Sequence, residues 1–200
     1  MNGKLFYYYG SMASSKTLRL LATAYDLEEK GLKILTMKPS LDTRETDGSI
    51  RSRAGLSRPC KRFSREVNLF DYVKNECPDA KWVIIDECQF LTKEQVDQLS
   101  DVVDYLNINV MCYGLRTDFQ SNLFEGSKRL FEIADDIEEV KSTCECGERK
   151  TSINARFNEN GEMVTQGEQL EIGGNEKYKA ICRKCWKNKI RRINFLKKKW

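Results

Sequence analysis

Lys16 and Thr17 close the run Gly10-Ser11-Met12-Ala13-Ser14-Ser15-Lys16-Thr17, just ahead of a segment with helical apolar spacing. A glycine-led loop that ends in Lys-Thr at a helix N-terminus can cradle phosphate. Backbone N–H groups and the helix dipole attract the anion, the lysine reaches the β and γ oxygens, and the hydroxyl ligates Mg²⁺. The usual loop has glycine directly before the lysine, where this chain has Ser15. A side chain there is tolerable at negative φ and costly at positive φ. Farther along, Asp86 and Glu87 end the apolar run Trp82, Val83, Ile84, Ile85. An Asp at the end of such a strand orients Mg²⁺, and the adjacent carboxylate can serve as a base. The chain has no histidine, so proton transfer falls to carboxylates. Two close cysteine pairs, Cys144/Cys146 and Cys182/Cys185, read as a closed four-thiolate zinc site of structural kind. The first pair is tighter than the usual C-x-x-C spacing.

Positioning these groups requires strands that deliver loops to one edge. The aromatic run at 5–9 reads as a strand broken by Gly10, followed by a helix with Leu18, Leu21, Ala22 and Tyr25 on one face and Gly31 as its stop. Residues 32–37 read as a short strand closed by Lys38 and Pro39. Residues 40–59 are too polar for a core element and too long for a simple connection, so they read as a functional or irregular loop. A helix over 66–76 carries Val67, Phe70 and Val73. A capping box at Thr92 opens another helix with Val96, Leu99, Val103 and Leu106 on its buried stripe. Strands at 108–113 and 137–140 bracket a short helix at 128–134. Strands alternating with helices argue for a mostly parallel sheet covered on both faces. In an open sheet of that kind Lys16 and Asp86 share the carboxyl edge. Beyond residue 144, a hairpin is expected over 153–169, turning at 158–161, and then a Gly-Gly loop that ends at Tyr178.

Two hundred residues, 40% of them hydrophobic, suit one compact domain plus an appendage. The net charge of +4 is too balanced to imply nucleic-acid binding by itself, although residues 183–200 are basic and lack carboxylates. No apolar run reaches the ~18 residues of a membrane span. The N-terminus lacks a signal-peptide pattern, and the cysteines are not spaced as a secreted disulfide framework, which points to the cytoplasm.

Taken in order, the phosphate loop with Met12, Lys38-Pro39-Ser40-Leu41-Asp42-Thr43-Arg44, Asp86-Glu87-Cys88-Gln89-Phe90 and Gly114-Leu115-Arg116-Thr117-Asp118-Phe119 form a pattern. Phe124-Glu125-Gly126-Ser127, Cys144-x-Cys146-Gly147, Ile172-Gly173-Gly174 with Tyr178, and Cys182-Arg183-Lys184-Cys185 complete it. From residue 5 to about 186 this chain resembles the thymidine kinase family of the zinc-containing cellular type. The resemblance implies an α/β fold: a RecA-like P-loop core over 1–141 and a small zinc-binding lasso subdomain over 142–186 that closes on the nucleoside; residues 187–200, past the last motif, read as a basic tail. It implies transfer of the γ-phosphoryl of ATP to the 5′-hydroxyl of thymidine, with Mg²⁺ and a structural Zn²⁺. By the same resemblance, Gly10, Ser11, Met12, Ala13, Ser14, Ser15, Lys16, Thr17, the Asp86–Gln89 segment including Cys88, and the lid residue Arg44 face ATP. Thr17 and Asp86 hold Mg²⁺, and Glu87 takes the proton of the 5′-hydroxyl. Met12, Phe90, Leu115, Phe119 and Tyr178 surround thymine, with the backbone at Gly173 and Gly174 reading its edge. The four cysteines hold zinc. A homotetramer and feedback inhibition by dTTP are implied as well.

Two other readings stay open at this point. The cysteine site and the basic, aromatic-bearing terminus suit a zinc-ribbon ATPase that binds nucleic acid. A protein that keeps the kinase fold and has lost activity through Ser15 is the other.

Overall fold

The computed structural model describes residues 3–43, 45, 47–169, 171 and 177–197, with side chains as far as 193. β1 (Leu5–Tyr9) runs into α1 (Lys16–Glu29), and β2 (Ile34–Pro39) follows. Three short strands come next, β3 (Ser49–Arg51), β4 (Ser57–Pro59) and β5 (Lys61–Phe63), then α2 (Leu69–Glu76) and β6 (Trp82–Ile85). A 3₁₀ turn, Cys88–Phe90, leads to α3 (Lys93–Leu106), β7 (Asn109–Gly114), α4 (Glu125–Ile133) and β8 (Asp136–Glu139). The C-terminal lobe contains β9 (Ile153–Phe157), β10 (Met163–Val164), β11 (Tyr178–Ile181) and α5 (Arg183–Lys197).

Six strands form one sheet in the order β5-β2-β6-β7-β1-β8, with every neighbouring pair parallel. Strand β7 separates the strand that feeds the phosphate loop from the strand that ends in Asp86, as a RecA-like core requires. Alternation along the strands decides which helices cover which face. Leu5, Tyr7, Val83, Ile85, Val110 and Cys112 point to the side where α2, α3 and α4 pack. Ile84, Met111 and Tyr113 point to the other, where α1 packs. Because all strands run the same way, the ends of β1, β2, β6 and β7 open on one edge.

Local chemistry sets the helix ends. Gly31, at φ 74°, donates its N–H to the Glu28 carbonyl while Leu32 donates to Leu27, a left-handed stop that stitches the last carbonyls of α1. At Thr92 both arms of the capping box form: Gln95 N–H donates to Thr92 Oγ1, and the Thr92 N–H donates to Gln95 Oε1.

Several local expectations need correction. The buried face of α1 is Leu20, Leu21, Ala24 and Leu27, whereas Ala22 and Tyr25 face solvent. The apolar spacing allowed two stripes, and packing over Ile84 and Met111 selects one. The polar stretch 40–59 contains an antiparallel hairpin, β3 on β4. Its one fully buried apolar residue, Ile50, packs with the α1 cluster. Strand β2 extends through Pro39, which pairs with Phe63 of β5 at the sheet edge. There the missing proline N–H costs no ladder bond on the central side.

The C-terminal lobe is a three-stranded sheet, β10-β9-β11. Tyr178 begins its third strand, antiparallel to β9, where only a loop end was expected. Ile190 and Ile193 of α5 pack with Trp186 and Phe157 against the buried Cys144 and Cys182. Helix α5 thus runs on both sides of the 186/187 boundary. Among the described residues no helix is long and apolar enough to cross a membrane.

Candidate active site

A cleft of about 660 Å³ opens at the carboxyl edge of the large sheet, between the loop after β1, the turn after β6, the segment after β7 and the C-terminal lobe. The phosphate loop is wound tightly, with Ala13 at φ 59° and Ser15 at φ 62°. Ser15 therefore sits in the left-handed region, the case in which a Cβ is costly, by about 1–2 kcal/mol. Gly10 is required for space: a Cβ there would collide with the Ser14 side chain and the Val140 carbonyl. Lys16 is buried, and its Nζ donates to the Ser11 carbonyl at 2.7 Å and to Ser14 Oγ at 3.3 Å. The ammonium is thus curled into the hollow of its own loop.

Thr17 Oγ1, at the first turn of α1, donates to Asp86 Oδ2 at 3.4 Å. Asp86 is buried at the end of β6. A hydroxyl and a buried carboxylate side by side at a phosphate loop are the donor set that a magnesium-bound phosphate uses. Glu87 follows in a left-handed conformation, φ 53°, which turns its side chain from the strand direction toward the cleft. Its Oε2 accepts a 2.6 Å hydrogen bond from Gln89 Nε2.

Met12, Phe90, Leu115, Phe119 and Tyr178 line one cleft with Ala13, Ser14, Ser15, Lys16, Thr17, Asp86, Glu87 and Gln89. Cys88 is not with them: its thiol is fully buried beneath the turn, next to Cys112, and burial pushes it well above its ordinary pKa. Gly10 and Ser11 do not line the cleft either; the Ser11 carbonyl instead accepts from Lys16 Nζ. Arg44, Gly173 and Gly174 lie outside the described residues.

The cleft also holds side chains to which no sequence motif assigned a role. Asn154, from β9, accepts from the Met12 N–H at 2.8 Å and donates to the Thr117 carbonyl. Asp118 accepts from the backbone of Gln120 and Asn122 and from Gln169 Nε2, pinning the lobe's 165–169 segment to the loop after β7. Asp118 was visible within the Gly114–Phe119 run. Asn154 lies in no recognisable pattern, because its partners are brought to it only by folding. Arg156, also buried, stacks its guanidinium 3.8 Å from the Phe119 ring centre and donates to the carbonyls of Gln166 and Glu168. Tyr178 Oη donates to the Glu171 carbonyl, and burial raises its pKa.

The sulfurs of Cys144, Cys146, Cys182 and Cys185 all lie within 4.8 Å of one another. The C-x-C pair is therefore no obstacle to convergence. Four sulfurs this close share protons unevenly. The Cys185 backbone N–H draws Cys182 down to about 7, whereas the hydrogen bond to Cys182 pushes Cys185 up to about 12. Donor type, number and closure fit a structural Zn²⁺.

A family model described as thymidine kinase matches residues 3–186. The chain is 48% identical over 193 residues to a thymidine kinase of Mannheimia succiniciproducens, covering 96% of this chain and 98% of the relative. It is 45% identical over 192 residues to the thymidine kinase of Haemophilus influenzae, covering 95% and 99%. With that of Rhodopirellula baltica it shares 44% identity over 189 residues, covering 94% and 89%.

Proposed function

The chain belongs to the thymidine kinase family, and we propose that the cleft just described is where its reaction takes place, with Glu87 as the base. The reaction is transfer of the γ-phosphoryl group of ATP to the 5′-hydroxyl of thymidine, giving dTMP. The match across residues 3–186 does not favour the nucleic-acid ATPase.

The observation that carries the assignment of roles is the Thr17–Asp86 contact at 3.4 Å with Glu87 next in line. Phosphoryl transfer needs alignment, charge neutralisation and a base within hydrogen-bond reach. The fit of the donor set supports Thr17 and Asp86 as the holders of the nucleotide's Mg²⁺, which neutralises phosphate charge when bound. Asp86 is then committed to the cation, and Glu87 accepts the proton of the 5′-hydroxyl. Lys16 and the N–H groups of residues 13–17 receive the phosphates. Met12, Phe90, Leu115, Phe119 and Tyr178 enclose thymine, with Gly173 and Gly174 reading its edge and Arg44 serving as the lid cation. Cys88 supports the Asp86–Gln89 turn from below.

We read residues 1–141 as the kinase core and 142–186 as the zinc-bearing nucleoside lobe, with 187–200 as a basic extension. A cytoplasmic homotetramer inhibited by dTTP rests on family membership, and sedimentation with and without dTTP tests it. The activity is tested by incubating purified protein with ATP, Mg²⁺ and each nucleoside in turn. dTMP formation is expected; ATP hydrolysis stimulated by single-stranded DNA, without monophosphate, would overturn the assignment.

A further inference from the structure

We propose that Gln89 is a positioning residue of the transfer, holding the Glu87 carboxylate in fixed relation to the nucleoside wall at Leu115. The proposal rests on the reading of Glu87 as the base. Gln89 is 2% exposed. Its Nε2 donates to Glu87 Oε2 at 2.6 Å, and its Oε1 accepts from the Leu115 N–H at 2.9 Å. These partners allow one amide orientation: only nitrogen can donate to a carboxylate, and only oxygen can accept from a peptide N–H.

The Leu115 peptide is held from its other end as well. Its carbonyl accepts from Tyr7 Oη at 3.1 Å and from Ser127 Oγ at 2.6 Å. One connected path therefore runs from Glu87 through Gln89 to Leu115, and on to β1 and α4. Space is reserved for the amide. A Cβ at Gly114 would stand 2.6 Å from Gln89 Oε1 and 2.6 Å from Cys88 Sγ, so only glycine allows this approach.

Glu87 needs such a support. It sits on a left-handed turn with three side-chain torsions, and a base is useful only within hydrogen-bond reach of its proton. The path also explains how the base and the pocket wall keep one register, although Glu87 and Leu115 lie 28 positions apart in the chain.

The test is a double-mutant cycle on the full chain, with single-turnover rates and both KM values. Gln89→Met keeps the length and removes both hydrogen bonds. Its kcat is expected to fall about 10–100-fold, less than the ~10²–10⁴-fold of losing the base itself, with the ATP KM within about twofold of wild type. In the Glu87→Gln background the same substitution should lower kcat by less than about twofold, because nothing remains to be positioned. Multiplying losses would show that Gln89 acts independently of Glu87 and would overturn the proposal. So would a Gln89→Met enzyme that keeps more than half of its kcat. If Gln89→Met does not fold, Gln89→Leu is read by the same criteria, since it too removes both hydrogen bonds and adds no charge beside Glu87. Should Glu87→Gln alone stay active, the base assignment fails first and the positioning role falls with it. A collapse in Glu87→Gln with an unaffected Gln89→Met overturns the Gln89 role alone.

Discussion

Ser11 Oγ and Thr151 Oγ1 stand 2.5 Å apart, joining the phosphate loop to the lobe that carries the four-cysteine cluster across 140 positions of sequence. One residue along, the Met12 N–H donates to Asn154 of the same lobe. The lobe is thus stitched to the back of the phosphate loop as well as lining the cleft.

Loss of the metal should therefore be felt at both ends of the cleft, unequally. Metal analysis is expected to find one zinc per chain. Cys185→Ser should raise the thymidine KM by an order of magnitude or more and the ATP KM only a few-fold, because the P-loop keeps its own scaffold on β1 and α1. Protein purified without chelator that carries no zinc would remove the site.

Glu87→Gln keeps the shape of the side chain and removes its basicity. The expected loss in kcat is about 10²–10⁴-fold, with thymidine and ATP dissociation constants close to wild type. Isothermal titration beside steady-state kinetics separates the two. Retention of more than about a third of kcat would show that another group takes the proton.

Ser15→Gly tests the left-handed position ahead of Lys16. Release of about 1–2 kcal/mol of backbone strain is partly offset by the ~0.5–1 kcal/mol that glycine costs in unfolded-chain entropy. The melting temperature should stay equal or rise by a few degrees, and ATP affinity should stay equal or tighten. A clear loss of ATP affinity would mean that the Ser15 side chain makes a contact of its own with the nucleotide.

Lys38 is buried at 2% exposure, with its Nζ 2.9 Å from Asp42 and 2.8 Å from Glu45. Burial lowers its pKa, but the hydrogen bonds to Glu45 and Asp42 outweigh that and leave it raised. A cation whose folded pKa is raised contributes stability that is complete below the unfolded value of 10.5. That contribution is lost as pH climbs through the folded value. Stability of the wild type should accordingly fall above about pH 10.5. Lys38→Met should be less stable by about 3 kcal/mol near neutrality and show a flatter alkaline limb. Urea melts from pH 7 to 11 measure both, and equal alkaline slopes would discount the ion pair.

Much of the architecture was legible because it is local. Lys16-Thr17 after a strand, Asp86-Glu87 after another, and the capping box at Thr92 each depend on a few consecutive residues, so their placement at one sheet edge could be read from spacing alone. The cysteine pairs were legible for the same reason, since ligand type and spacing define the metal they suit. The hairpin over residues 49–59 was not legible, because a single buried Ile50 amid polar residues carries no period.

The amino-acid sequence by itself determined which chemistry is available: a phosphate loop, two carboxylates at a strand end, four thiols, and no histidine to compete with them. Only the tertiary structure decided how those groups are held. It put Ser15 in the left-handed region, chose Leu20 and Leu27 over Tyr25 as the buried face of α1, and brought Asn154 and Thr151 to the phosphate loop. It also turned Gln89 between Glu87 and Leu115. The reason is physical: backbone periodicity and ligand spacing act over a few residues, whereas these contacts join segments that meet only when the sheet has closed and the lobe has docked against it.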